Sequence, residues 1–594
     1  MRIAIVKKDK CFPDKCNNLC AKVCPVNRKG EKCIIIENKA RIDENLCVGC
    51  AICQNRCPFK AISIINLPDI LSKRAIYRYG ENGFALYNLP LPRLGSVLGL
   101  LGRNGIGKTT ALQILGNKLK INLGKEKATE AEIHSFFKGS EMLNYIAKLK
   151  GIKVSYKPQM ITQLSQNIKA LELLKKFASV KDIKATAEKL NISNILGKKL
   201  NEISGGELQK VAIAASCLKD ADLYIFDEPL AYLDISERIN AVHVIRELIG
   251  HEQSTDERDK HHYHEHQHKR KNEKTVILVE HDLLLLDYMT DFINIFYGKQ
   301  GCYGVIAEIR TAKNAINSYL EGFLKEENVR FRDKEISFKF GMRELASKIP
   351  FVQWPSFKKS YDGFQMRANA GTISLKSITA IAGRNAIGKT TFVKCLAGIL
   401  KPDDTKLDLK LKISYKPQYI FSDSEETVAM IVKKEKIDRE VISILDLDDL
   451  MLKQLKQLSG GELQRVAIAE CLAKQADLYL LDEPSAHLDV EERLQVAKVI
   501  KEKITEKDRA ALVVDHDLLF LSYLADSIIV FSGEPGKIGH ASETYDFEEG
   551  VNHLLQDLDI TLRRDAETGR PRINKKGSVL DRKQREKGEW FASD

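Results

Sequence analysis

One motif occurs twice in this chain. Residues 102–109 read GRNGIGKT and residues 383–390 read GRNAIGKT. Both fit G-x-x-x-x-G-K-[ST], and each follows an apolar, strand-like run and precedes a helical one, the context a P-loop requires. A glycine-rich turn opening a helix presents backbone N–H groups to phosphate. Gly102, Asn104, Gly105 and Gly107 form one such cradle, and Gly383, Asn385 and Gly388 the other. Lys108 and Lys389 reach the β- and γ-phosphates, Thr109 and Thr390 can hold Mg²⁺, and Thr110 and Thr391 complete the nucleotide-binding set. Two matches with the downstream motifs also repeated predict two like α/β halves.

Downstream, Lys157-Pro158-Gln159 recurs as Lys416-Pro417-Gln418, and Ser204–Gln209 (SGGELQ) as Ser459–Gln464. YIFDEP, containing Asp227 and Glu228, recurs as YLLDEP with Asp482 and Glu483. Glu280-His281-Asp282 recurs as Asp515-His516-Asp517. An apolar strand ending in Asp227 or Asp482 places a carboxylate near Mg²⁺, and Glu228 or Glu483 then polarises the attacking water. His281 and His516 can bridge that carboxylate and the γ-phosphate. Ser204 with Gly206, and Ser459 with Gly461, offer donors at a helix N-terminus to the other site's γ-phosphate. These residues resemble the Walker A, Q-loop, signature, Walker B and switch-histidine motifs of ABC-type ATPases. The resemblance implies two nucleotide-binding domains packed head to tail, with ATP and Mg²⁺ between the P-loop of one and the signature of the other.

The copies are 281 residues apart at the P-loop, 259 at the Q-loop glutamine, 255 at the signature and Walker B, and 235 at the histidine. The first half therefore carries two insertions. One includes Glu130–Lys150, which reads as two short amphipathic helices around Gly139-Ser140. The other is 251–272, centred on HHYHEHQH, which reads as a solvated loop.

Nine of the thirteen cysteines precede residue 58. Cys47, Cys50, Cys53 and Cys57 are followed by Pro58, the C-x2-C-x2-C-x3-C-P spacing of ferredoxin 4Fe–4S sites, whose fourth cysteine serves the neighbouring cluster. Cys11, Cys16, Cys20 and Cys24, before Pro25, form a wider second run. That logic groups Cys47, Cys50, Cys53 and Cys24 around one 4Fe–4S cluster and Cys11, Cys16, Cys20 and Cys57 around another. Zinc and a disulfide scaffold are the competing readings. Cys33 is left over and reads as buried or incidental.

The net charge is +12, and +6 of it falls between Arg563 and Lys587, where ten basic residues face four acids. That stretch suggests an anionic partner such as RNA. Apolar stretches stop short of the roughly 18 residues that cross a bilayer, and MRIAIVKKDK has no apolar secretory core, so neither a membrane span nor export is expected.

Ferredoxin-like cysteines joined to tandem ABC halves resemble the ABC-E family, the ribosome recycling factors also called RNase L inhibitor proteins. Further matching segments are Glu327–Arg332 (ENVRFR) and Arg563–Ser578, similar to that family's two hinges, and Tyr77–Leu86 (YRYGENGFAL), similar to its adenine-stacking region. Tyr79 and Phe84 are the stacking candidates in the first half, and Tyr361 or Phe364 in the second. The resemblance implies an α/β protein: 1–70 a ferredoxin-like iron–sulfur domain, 71–310 and 346–550 two ABC ATPase domains, 311–345 a hinge, and 551–594 a closing basic hinge segment. It implies an ATPase that splits ribosomes after termination or stalling, together with a release factor or Pelota, and stays on the small subunit. The implied partners are rRNA and proteins of the ribosome, chiefly of the small subunit, and initiation factors. A cytoplasmic monomer with no membrane partner is expected. An ATP-coupled iron–sulfur electron-transfer enzyme is the main alternative. A transporter ATPase subunit has no use for the cysteine domain, and ABC-F-type translation factors lack it.

The two copies also differ. Ala386 stands where the first copy has Gly105; if that position requires positive φ, the alanine costs about 1–3 kcal/mol. Ile203 replaces the usual leucine before the first signature, and Lys210 stands opposite Arg465. Leu230-Ala231 replaces the expected small polar pair. Two hydrolysing but inequivalent sites are therefore expected.

Overall fold

The computed structural model describes residues 2–66, 74–250, 274–333, 335–336, 349–418, 420 and 422–592. The strand leading into the first P-loop, Val97–Leu101, is buried throughout and pairs in parallel with Thr275–Val279 and Phe292–Lys299. A parallel strand covered on both faces needs a continuous apolar run, which VLGLL, TVILV and the start of LYIFD supply. The first sheet has eight strands in the order Tyr77–Arg78, Ala85–Tyr87, Tyr303–Thr311, Phe292–Lys299, Val97–Leu101, Thr275–Val279, Leu223–Asp227, Val154–Lys157. The second sheet repeats that order, from Phe357–Tyr361 through Ile378–Gly383 to Ile413–Lys416. The duplication read in the motifs is thus a duplication of topology.

The insertion after the first P-loop forms the helices Glu130–Phe137 and Glu141–Lys148, on either side of Gly139-Ser140 as expected. Thr129 and Glu132 cap the first reciprocally. Phe137 and Met142 bury against the first-half core, and the Tyr145 hydroxyl donates to Leu115 O at 2.8 Å. The histidine-rich stretch 251–272 lies outside the described residues.

In the N-terminal unit, strand Arg2–Val6 pairs antiparallel with Ile62–Asn66, and helices Leu19–Val23 and Ile52–Arg56 each carry a buried cysteine. The loop Tyr77–Leu86 fastens this unit to the first ATPase half. Arg78 grips the Glu44 carboxylate with two nitrogens at 2.5 and 2.8 Å, a bidentate geometry. Buried Asn82 donates to Ala4 O and Ile42 O, both at 2.9 Å, and its Oδ1 accepts from Ile42 N. Of the expected domain boundaries, 70/71 and 345/346 lie outside the described residues. Residue 310 falls at the end of strand Tyr303–Thr311, and residue 550 falls within helix Phe547–Leu558.

The C-terminal basic stretch folds as the hairpin Leu562–Arg564/Pro571–Ile573 and the helix Val579–Lys587. Part of the charge that suggests an anionic partner is spent inside the chain: five of the ten basic residues make ion pairs. The Arg570 side chain is only 1% exposed, and Arg570 and Arg572 both bind Asp287 of the first half, at 3.0 and 2.6 Å. Arg585 pairs with Asp559 and Asp581, Lys576 with Asp559, and Arg564 with Glu548.

Candidate functional site

Both P-loops open onto one cavity of about 1760 Å³ that is also lined by Ser204–Gly206 and Ser459–Gly461. The two halves meet head to tail through reciprocal contacts. Asn104 N donates to Asp489 Oδ2 at 2.8 Å, and Asn385 N donates to Asp234 Oδ2 at 2.7 Å. Each of these aspartates also caps the helix that follows it, so its carboxylate is held where the opposite P-loop arrives.

Within each half the polar groups converge as the motifs predict. Lys108 Nζ folds back on Gly102 O and Arg103 O at 2.6 and 2.7 Å, and Lys389 makes the matching contacts. Thr109 Oγ1 donates to Asp227 Oδ2 at 3.1 Å. Gln159 and Gln418 each donate to the Oε1 of Glu228 and Glu483 at 2.7 Å. His281 Nε2 and His516 Nε2 stand 3.5 Å from the same carboxylates. Ser204 and Ser459 open their signature helices with full capping boxes. Tyr79, Phe84, Tyr361 and Phe364 all border the cavity. Phe84 packs so closely on Gly107 (φ 96°) that a Cβ there would lie 2.8 Å from its ring, and Phe364 takes the same place beside Gly388.

Glu228 and Glu483 adopt left-handed backbone, φ 47° and 48°, a conformation that costs a non-glycine residue about 1–3 kcal/mol. Two pairs that recur in both halves hold them there, and neither stood out in the sequence. Buried Lys157 Nζ donates to Asp227 O and Glu228 O, both at 2.9 Å, and Gln209 Nε2 to Glu228 O at 2.8 Å. Lys416 and Gln464 do the same for Glu483. The only signal was that KPQ and the glutamine of SGGELQ recur in both copies.

The electrostatics separate the adjacent acids. Burial, then the neighbouring Glu228 charge, pushes Asp227 up to about 6, and Asp482 likewise rises to about 6. Burial also opposes the charge on Glu228 and Glu483, but their histidine, lysine and glutamine neighbours outweigh it and hold both at about 2. Both ring nitrogens of buried His281 and His516, and both oxygens of buried Asp482, lack hydrogen-bond partners among the described residues. Such groups fit a ligand bringing phosphate oxygens and a hard cation.

The copies differ where the sequences do. Ala386 has φ 57°, so its position does require left-handed backbone. A Cβ at Gly105 would lie 2.9 Å from Gln300 Cγ; the second copy has Pro535 there and admits the alanine. Ala386→Gly is expected to raise stability by about 0.5–1 kcal/mol, the relieved strain being partly offset by unfolded-chain entropy. An unchanged or lower unfolding midpoint in denaturant would contradict this. Leu230 offers no hydroxyl, and its backbone N–H reaches the longer Glu280 at 2.7 Å, whereas Ser485 binds Asp515 through both N and Oγ. Lys210 pairs with Glu237 at 2.6 Å, and Arg465 with Glu492 at 3.5 Å.

In the N-terminal unit, Cys24, Cys47, Cys50 and Cys53 face one small cavity, the first expected set, and Cys33 borders it too. Cys20 lies among Cys16, Cys11 and Cys57, the second set. Burial pushes the Cys20 thiol up to about 11 and that of Cys53 up to about 12; iron would displace these protons. Ala40 N and Ala61 N donate to Cys11 Sγ and Cys57 Sγ at 3.4 Å, the backbone-to-sulfur bonds that suit cluster ligands. Removing iron with a chelator is expected to unfold residues 2–66 selectively, since the core of this unit is a small set of alanines, valines and isoleucines packed around its cysteines. Limited proteolysis leaving that unit intact without iron would contradict this.

Two P-loop halves that face each other's signature helices, joined to a cysteine-rich ferredoxin-like unit, define an ABC-type ATPase carrying iron–sulfur clusters. The comparisons agree. A family profile described as "ABC transporter" matches residues 91–231 and 367–486, one described as "Possible Fer4-like domain in RNase L inhibitor, RLI" matches 1–32, and one described as "4Fe-4S binding domain" matches 40–63. "ABC transporter E family member 1" of Arabidopsis thaliana is 40% identical over 100% of this chain and 99% of its own length. "Translation initiation factor RLI1" of Saccharomyces cerevisiae is 40% identical over 100% and 98%. The structure matches "Model of ribosome-bound archaeal Pelota and ABCE1" with a TM-score of 0.91 at 43% identity, covering 100% of this chain and 99% of that one. It also matches an archaeal ABCE1 chain solved with the ribosomal stalk protein aP1, with a TM-score of 0.80 at 41% identity, covering 87% and 99%. The chain belongs to the ABC-E family, the RNase L inhibitor proteins.

Proposed function

We propose that this protein is an ATP-dependent ribosome recycling factor, acting in the cytoplasm with a release factor or Pelota and remaining on the small subunit after splitting. The observation that carries this reading is the loop Tyr77–Leu86. One side of it presents Tyr79 and Phe84 to the first nucleotide cavity, and Arg78 and Asn82 fasten the cysteine-rich unit. Occupancy of that cavity and the orientation of the unit are thereby coupled through ten residues.

Each ATP binds between one P-loop and the opposite signature, so its binding energy favours the closed pair of halves, and hydrolysis removes it. Lys108 and Lys389 release their backbone carbonyls to take phosphate, and Ser204 and Ser459 complete the opposite site. Glu228 and Glu483 orient the attacking water, with His281 and His516 bridging to the γ-phosphate. Mg²⁺ would be held by Thr109 with Asp227 and by Thr390 with Asp482, and it offsets phosphate charge when bound. Tyr79 and Phe84 stack the base in the first site, and Tyr361 or Phe364 in the second. The eight cysteines of the two sets hold 4Fe–4S clusters that staple a small domain. We place the domain limits at 1–70, 71–310, 311–345, 346–550 and 551–594.

The test is gradient sedimentation of cognate ribosomes with this protein, a release factor or Pelota, and ATP or a non-hydrolysable analogue. Nucleotide-dependent conversion of whole ribosomes to subunits, with the protein on the small one, is expected. Intact ribosomes, with the iron-loaded protein at the top of the gradient, would favour the electron-transfer reading.

A further inference from the structure

Glu491 is the second residue of helix Val490–Thr505, directly behind the Asp489 that grips the first P-loop. Its carboxylate, 13% exposed, faces three groups of the first half and the connector. Oε2 lies 3.3 Å from Arg103 Nε, inside the first P-loop. Oε1 lies 3.4 Å from Arg332 Nε, at the end of ENVRFR, and accepts from the Tyr319 hydroxyl at 3.3 Å. Arg332 is itself tied to the carbonyls of Tyr319 and Leu320 and lies over the Tyr319 ring. Asp446, also of the second half, stands 3.7 Å from Arg103.

The repeat supplies an internal control. At the 255-residue offset of the signature and Walker B, Glu491 corresponds to Ser236 and Asp446 to Asn191. Ser236 likewise is the second residue of its helix, Ile235–Glu247. Both counterparts are neutral, and Arg384, the counterpart of Arg103, has no ion pair with the first half among the described residues; the acid beside it is Asp557, at 3.9 Å and C-terminal to it in the same half. Among the described residues, only the first P-loop has its arginine paired with acids of the opposite half, on the side joined to the connector; the other side is held away from the P-loop, by Asp287 with Arg570 and Arg572 of the C-terminal segment.

We propose that Glu491 is a positioning residue that ties the first P-loop to the inter-half connector, so that the composite site of P-loop 383–391 and signature 204–209 opens first. Asp446 reinforces the tie through the same arginine. This rests on the paired nucleotide sites proposed above. Two opposite charges in partly buried contact across an opening interface act mainly on the dissociation step, so the second site, without them, releases nucleotide sooner.

The experiment measures release of labelled nucleotide from each site of the full iron-loaded protein, isolated in turn with Glu228→Gln or Glu483→Gln. Retention in both backgrounds is checked first; if neither retains nucleotide, the site assignment itself fails, which is a different result from the one tested here. Glu491→Gln is expected to speed release from the first site about fivefold, within the coupling range of contacting charges, and to leave the second unchanged. Ser236→Glu is expected to slow release from the second site, a gain that general destabilisation cannot produce. Arg103→Gln combined with Glu491→Gln is expected to speed release from the first site by less than the product of the two single effects, the non-additivity of groups in contact. Equal effects of Glu491→Gln at both sites, no slowing by Ser236→Glu, or fully multiplicative effects of the two glutamine changes would each overturn the proposal.

Discussion

Glu228→Gln and Glu483→Gln are each expected to lower ATP turnover at their own site by about 10²–10⁴-fold, the range of a lost general base, while nucleotide stays bound and the halves stay closed. The side chain keeps its size and can still accept from Gln159 or Gln418, whose Nε2 atoms lie 2.7 Å away. What disappears is the charge that polarises water, and with it the repulsion between carboxylate and γ-phosphate. Loss of hydrolysis is therefore accompanied by tighter retention. Single-turnover kinetics with labelled ATP measure both, and wild-type turnover in the double variant would remove Glu228 and Glu483 from the proposed role. Lys157 and Gln209 grip the backbone carbonyl of Glu228 and not its side chain, so the left-handed geometry survives the change.

Asp287→Ala is expected to destabilise the docking of the C-terminal segment by about 3–5 kcal/mol, the penalty for stripping a buried charge of its partner. The Asp287 side chain is 4% exposed and receives Arg570 and Arg572 together, and the Arg570 side chain is itself 1% exposed. No other ion-pair partner of Arg570 exists among the described residues, although Asn317 Oδ1 accepts from its Nε at 3.4 Å. The readouts are the thermal midpoint and protease cleavage within 551–592. Lys576→Ala, at an exposed pair with Asp559, serves as the comparison and is expected to change stability by under about 1 kcal/mol. Equal effects of the two variants would show that the Arg570–Asp287–Arg572 cluster does not hold the segment.

The candidate catalytic set was legible in sequence because its residues sit at fixed offsets on a strand–turn–helix frame. A P-loop must follow a buried strand, a Walker aspartate must end one, and a signature serine must cap a helix, so each role leaves a local pattern. Ferredoxin spacing was legible for the same reason, since one short loop has to wrap one cluster. The two amphipathic helices of the first insertion also follow from local periodicity and a capping box. Even the strain at Ala386 was a question the repeat raised by itself, and the backbone answered it with φ 57°.

The tertiary structure decided whatever depends on partners distant in the chain. Asp287 and Arg572 are separated by 285 residues, Asn104 and Asp489 by 385, and neither aspartate announces its partner in its neighbourhood. How much of the C-terminal basic run is left for an anionic partner was likewise decided by packing, because composition counts charges and does not see that Asp287 takes up Arg570 and Arg572. The asymmetry at Glu491 and Ser236 was present in the sequence, but only packing of the two halves gave it meaning. Local chemistry is written in short spacings; coupling between the sites is written in contacts that exist only after the halves have met.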